Sequence, residues 1–352
     1  MKKWQFDEST IKSAIDAGNR FLLDDSLSRK HRLEITSDIR RFQRFLNGDY
    51  ELLERKRYLK HPQLKNNILR AMRKHSKIFD KNFISWLIGL AQSNIFARDE
   101  EVPIFSIPIE EAANHTIENY KRNSPIFYQY AYELLRNKKI NLIQETPLEG
   151  SPYCFYSDIL RLPFIVINSS TEASTLNHEM QHAIEYLLGI TTSPFYSEFG
   201  PIYFETLLTD QLFSHYGKDV LSSILNRICD TQRFLDFVKC YLYPLSVFSH
   251  FNFDVDDELF YSTFHDITNL QGEELIRFLN EEMVASEITD TLGYLFSYLK
   301  VIEIRSLAKR DNLEVGDEFN RILYDKTFKF EKPKNGFQVY KDFVDEIQEK
   351  AR

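Results

Sequence analysis

Apolar residues recur at intervals of three and four through most of the first hundred positions of this chain. "TIKSAIDAGNRFLLDD", "EITSDIRRFQRFLNG" and "HPQLKNNILRAMRKHSKIF" all carry that spacing, which predicts amphipathic helices. Asn47-Gly48 and His61-Pro62 punctuate them as turns. "KNFISWLIGLAQSNIF" is apolar on nearly every side and predicts a buried helix. Around "EVPIFSIPIEE" the period is lost, and Pro103 and Pro108 flank a short extended run that marks a candidate boundary. "NSPIFYQYAYELLRNKKINLIQ" predicts a further helix ending near Asn137. From Pro201 onward helical spacing returns, with "DTLGYLFSYLKVIEIRSLAKR" among the longest runs.

One stretch breaks the helical habit. "EGSPYCFYSDILRLPFIVINSS" holds two runs rich in aromatic and β-branched residues, Tyr153–Tyr156 and Pro163–Ile167, on either side of a turn. That predicts a hairpin or a small edge sheet. The expected fold class is therefore mainly α with one small β element.

Composition narrows the partners. At 352 residues, 43% hydrophobic and 14% aromatic, the chain can bury a sizeable core, and 11 Gly and 11 Pro impose few turns. A formal charge of −8 argues against nucleic acid as the main partner, because phosphate binding needs a basic surface. The basic stretch "SRKHRLEITSDIRRFQRF" interleaves its cations with apolar residues and reads as a solvated helix face. Cys154, Cys229 and Cys240 show no CxxC spacing, which suggests free thiols in a reducing compartment. The N-terminal lysines have no apolar run behind them, and no stretch approaches membrane-spanning length. A soluble, cytoplasmic chain without membrane contact is expected.

Most of the chemistry sits in "STLNHEMQHAIEYLLG", residues 174–189. Ser169 and Glu172 have capping-box spacing, and Gly189 is a natural helix stop. On a helical wheel Leu176, Met180, Ala183 and Leu187 share one side, with Ala173 and Ile184 beside them. His178 and His182 fall on the other, with Glu185 next to them and Glu179 at the edge. Histidines at i and i+4 can both reach one metal ion, and an adjacent glutamate suits a general base. Glu198 follows His182 by sixteen residues, and Glu205 comes seven later. If a helix starts near Glu198, the two glutamates lie two turns apart on one face, with Pro201 in the first turn, where it costs least. One carboxylate can then ligate the metal while the other orients a ligand. The alternative is two solvated glutamates and an exposed helix on which two histidines happen to fall in step.

These residues, taken with the preceding strands, resemble the M3 family of zinc oligopeptidases, the thimet-oligopeptidase and oligoendopeptidase F type. The resemblance covers about residues 125–215 and rests on "GSPYCFYSDILRLPFIVINSSTEASTLNHEMQHAIEYLL" followed by "YSEFGPIYFETLLTDQLF". The upstream "YELLRNKKINLIQ" is similar to the segment before the strands in that family. The resemblance implies a zincin-like helical fold with a small β-sheet or hairpin beside the HExxH helix. It implies Zn²⁺ held by His178, His182 and Glu198, Glu179 as general base, and Glu205 as a supporting carboxylate. Tyr298, and next to it Tyr294, match the helix whose phenols stabilise an oxyanion; tyrosines at this spacing also serve packing. The family pattern has Gly before the second histidine, where Gln181 stands here, and a longer gap to the ligand glutamate.

The expected organisation is an N-terminal helical region over residues 1–110 and a zincin-like catalytic domain over 111–352, packed as one unit. The expected function is a zinc metallopeptidase acting on short peptides. The alternative is a helical peptide- or protein-binding module that retains the metal site without turnover. The remaining histidines read as surface or packing residues.

Overall fold

A computed structural model describes residues 8–50, 58–98, 102–136, 152–167, 170–283, 285–311, 315–324, 326, 332–333 and 336–352. Four helices come first: α1 (Glu8–Phe21), α2 (Arg29–Leu46), α3 (Gln63–His75) and α4 (Lys81–Gln92). A short strand β1 (Ser106–Pro108) leads into α5 (Ile109–Asn123) and α6 (Pro125–Arg136). The central part runs β2 (Tyr153–Ser157), β3 (Leu162–Val166), β4 (Ser170–Glu172), α7 (Ala173–Leu188) and α8 (Phe199–Tyr216). Then come α9 (Ser222–His250), α10 (Asp257–Thr268), α11 (Gly272–Glu281), α12 (Ala285–Asp311), α13 (Val315–Leu323) and α14 (Gln338–Ala351). Among the described residues the fold is mainly α with two small antiparallel strand pairs, and the hairpin lies beside α7. No helix among the described residues is long and apolar enough to cross a membrane.

Local chemistry explains several boundaries. Ser28 caps α2 by accepting from the His31 amide, and Asp80 caps α4 by accepting from the Phe83 amide. α2 ends at Asn47, as its Asn-Gly pair predicts. α6 closes at Arg136; Asn137 and the rest of "NKKINLIQ" lie outside the described residues. α4 buries Phe83, Ile84, Leu87, Leu90 and Ala91, whereas Ser85 stays exposed, so it is amphipathic rather than buried all round.

The chain forms two compact units. The first contains α1, α2, the four strands and α5–α8. Its hairpin pairs Tyr153 with Val166 and Ser157 with Leu162. One hairpin face packs Phe155, Phe164 and Val166 against Ile11 and Ala14 of α1 and Phe42 and Phe45 of α2. Phe155 and Phe164 stack at 5.2 Å, and Phe42 meets Phe164 edge-on at 5.5 Å. The turn is held from α2, where Asp38 accepts from the Ser157 hydroxyl at 2.9 Å and the Ile159 amide at 3.3 Å. The second strand pair joins β1 to β4, with Ile107 opposite Thr171.

The second unit contains α3, α4 and α9–α14. α12 is its hub, packing against α3, α13, α14 and a 3-10 turn at Pro194–Tyr196. A buried ion pair on α12 joins Lys300 to Glu303 at 3.1 Å, and the Tyr340 hydroxyl of α14 donates to Glu303 at 2.7 Å. The Tyr340 and Lys300 donors meet both Glu303 oxygens, which offsets the cost of burying that carboxylate.

Burial pushes the Asp38 carboxyl above its ordinary value, outweighing the lowering by Ser157, Ile159 and Arg41. A raised carboxylate favours the folded state most below its unfolded value and loses that contribution as pH climbs through the folded one. Asp38→Asn keeps an oxygen acceptor without the charge. Its melting temperature relative to the parent should therefore rise between pH 4 and pH 7 in paired thermal melts. A difference that is flat or falls with pH would contradict the account.

Candidate metal centre

α7 begins later than its capping-box spacing predicts. Ser170–Glu172 pairs with β1 as β4, and Glu172 is the N-cap residue with no side-chain cap bond. Ser169 lies outside the described residues. The other end is as expected: Gly189 takes a left-handed φ of 62°. The Gly189 and Ile190 amides donate to the Tyr186 and Glu185 carbonyls, at 3.2 and 2.9 Å.

Of the wheel's apolar side, Leu176, Met180, Ala183 and Ile184 are fully buried, whereas Leu187 is half-buried. The opposite side is not a solvated face. Asn177 and Gln181 are fully buried, and His178, Glu179 and Glu185 are buried as well. α5 packs along α7 and satisfies part of that side. Asn119 donates to the Asn177 side chain at 3.1 Å and to the Phe204 carbonyl of α8 at 3.0 Å. The Tyr120 hydroxyl donates to the Asn177 carbonyl at 3.2 Å. Buried polar groups need such partners, and these asparagines carried no signal in the linear pattern.

The two imidazoles lie one turn apart with ring centroids 5.1 Å from each other. Glu198 directly precedes α8, and Pro201 falls in that helix's first turn. Ligand atoms from His178, His182 and Glu198 all lie within 4.8 Å of one another, the one such group of His, Cys, Asp or Glu among the described residues. Glu205, two turns along α8, brings Oε2 to 3.2 Å from His178 Nδ1. A carboxylate on Nδ1 favours the tautomer with its proton there and its lone pair on Nε2, the form a metal accepts. Two imidazoles and a carboxylate are the donor set of a first-row divalent ion, so the residues fit such an ion.

The surroundings are negative. Burial first, then Glu179 and Glu185, push the Cys154 thiol of β2 well above its ordinary value. Burial and then Glu185 do the same to the Tyr120 phenol. Burial and then Glu198 raise the Asp290 carboxyl. A divalent cation amid these carboxylates offsets their mutual repulsion.

Tyr294 and Tyr298 lie on α12. Tyr298 is buried, its ring edge-on to Phe343 at 6.3 Å and the Arg227 guanidinium 6.0 Å from its centroid. Tyr294 is half-buried beside Phe234 at 6.2 Å. Among the other histidines, His75 is buried with Nδ1 at 2.7 Å from the Tyr241 hydroxyl, and burial lowers it to about 4. His265 Nδ1 meets the Leu270 carbonyl at 3.0 Å. All three cysteines are free thiols; Cys229 is buried and the other two are half-buried.

No protein-family model matches the sequence. No curated protein matches it. Several solved structures are similar. A chain assigned as a peptidase in Chlamydophila abortus aligns at 14% identity and a TM-score of 0.49, over 84% of this chain and 56% of that one. A chain assigned as an oligoendopeptidase F in Bacillus anthracis str. Ames aligns at 15% identity and 0.43, over 97% and 66%. PZ peptidase A with an inhibitor aligns at 10% and 0.44, over 91% and 65%. The chain thus spans between just over half and about two thirds of their lengths.

Replacing Glu205 with Ala takes the carboxylate from His178 Nδ1. The zinc dissociation constant, read by competition with a chromophoric chelator, should weaken about ten- to a hundredfold. An unchanged constant would remove Glu205 from the site.

Proposed function

We propose that this protein is a metal-dependent peptidase acting on short peptides, with zinc held by His178, His182 and Glu198. The observation that carries the proposal is the meeting of those three donors beside Glu179, on a helix that buries His178, Glu179, Gln181 and Glu185. Burial argues against incidental histidines, because a buried polar face with no task is costly.

A divalent ion at this site supplies a Lewis acid that makes water nucleophilic at neutral pH. The residues do the rest. Glu205 holds the His178 ring in one tautomer through Nδ1. Glu179 accepts the proton of the attacking water and returns it to the departing amine. Tyr298, with Tyr294 one turn away, donates its O–H to the oxygen on which charge develops. The hairpin beside α7 leaves each of its strands one edge without a strand partner among the described residues. A peptide that adds there is read through its backbone, which suits broad rather than side-chain-specific cleavage.

Glu179→Gln separates metal binding from catalysis. The variant should retain one zinc per chain and lose about 10²- to 10⁴-fold in cleavage of quenched fluorescent peptides. Cleavage equal to the parent's would sink the assignment, and zinc bound by a parent that cuts no peptide would favour a binding module.

A further inference from the structure

Gln181 and Glu185 lie one turn apart on α7 and are both buried, with Gln181 fully enclosed. Gln181 Nε2 donates to Glu185 Oε1 at 2.9 Å. That oxygen lies against the second residue of α8: a Cβ built on Gly200 would come 2.0 Å from Glu185 Oε1 and 3.2 Å from Gln181 Nε2. Only a residue without a side chain lets the carboxylate approach the α8 backbone so closely.

The place of contact matters. The first N–H groups of a helix have no partner within it, and its N-terminus carries partial positive charge. Pro201 removes one of those donors, and a buried carboxylate at the same end favours the helix start through the dipole. Glu198 is two residues before Gly200 in the chain, and His182 is three before Glu185. Whatever fixes Gly200 against α7 therefore sets how far the Glu198 carboxylate can stray from the imidazoles.

We infer that Gln181 and Glu185 form a positioning device, closed by Gly200, that anchors the start of α8 on α7 and thereby presets Glu198 as a metal ligand. The inference rests on the metal site proposed above. Gln181 orients the Glu185 carboxylate, Glu185 grips the helix start, and Gly200 leaves the room. All three act through the contact between α7 and the start of α8.

A double-mutant cycle on the full chain tests it, with zinc as the probe and the dissociation constant as the readout. Gly200→Ala drives its methyl into the Glu185 carboxylate and should weaken zinc about ten- to a hundredfold. In the Glu185→Ala background the obstruction is gone, so adding Gly200→Ala should change zinc affinity by less than about threefold, the non-additivity expected of contacting residues. Glu185→Ser, which also withdraws the side chain from Gly200 while keeping a polar atom, supplies the second background if the alanine variant does not fold. A general loss of packing would lower the melting temperature of each metal-free variant without this pattern. Equal effects of Gly200→Ala in all backgrounds, or parental zinc affinity in a folded Gly200→Ala chain, would overturn the inference while leaving the metal site intact. A parent that binds no zinc would overturn both.

Discussion

Polar residues of a helix that are also buried must find their hydrogen bonds among their neighbours, and α7 places several of them under that constraint. Asn177, His178, Glu179, Gln181 and Glu185 are all withdrawn from water. The partners come from the two helices laid against it: Asn119 and Tyr120 from α5, Glu205 from α8. α8 approaches closely enough for this because Gly200 has no side chain where Glu185 packs. Packing of α5 and α8 on α7 and the partnering of its buried polar residues are thus one problem.

The electrostatics follow from the same burial. After burial itself, Glu179 and Glu185 raise the Cys154 thiol, Glu185 the Tyr120 phenol and Glu198 the Asp290 carboxyl. Like charges withdrawn from water repel strongly, and a divalent cation removes much of that cost. A network of this kind rigidifies its members only when each is satisfied. A carboxylate beside a ligand imidazole, as Glu205 stands to His178 Nδ1, orients that ring.

The linear pattern revealed a good part of this and missed the rest for identifiable reasons. The hairpin was legible because aromatic and β-branched runs flank a turn, and Gly189 marked the end of α7 because a left-handed residue is needed there. Glu198 and Glu205 stood out by spacing alone. The start of α7 was misplaced because Ser170–Glu172 pairs with Ser106–Pro108, a partner far away in the chain that no local signal announces. A wheel sorts polar from apolar residues but cannot say that both sides will be covered, so Asn119, Asn177 and the packing of Gln181 against Glu185 went unread. Gln181, where the resembled family has Gly, proves to be a buried donor to Glu185.

The central claim is that His178, His182 and Glu198 hold one metal ion, and zinc K-edge X-ray absorption on the zinc-loaded chain addresses it most directly. The account predicts a first shell of nitrogen and oxygen at about 2.0–2.1 Å with the outer-shell signature of two imidazoles. A sulfur shell at about 2.3 Å, or the loss of imidazole scattering altogether, would contradict it.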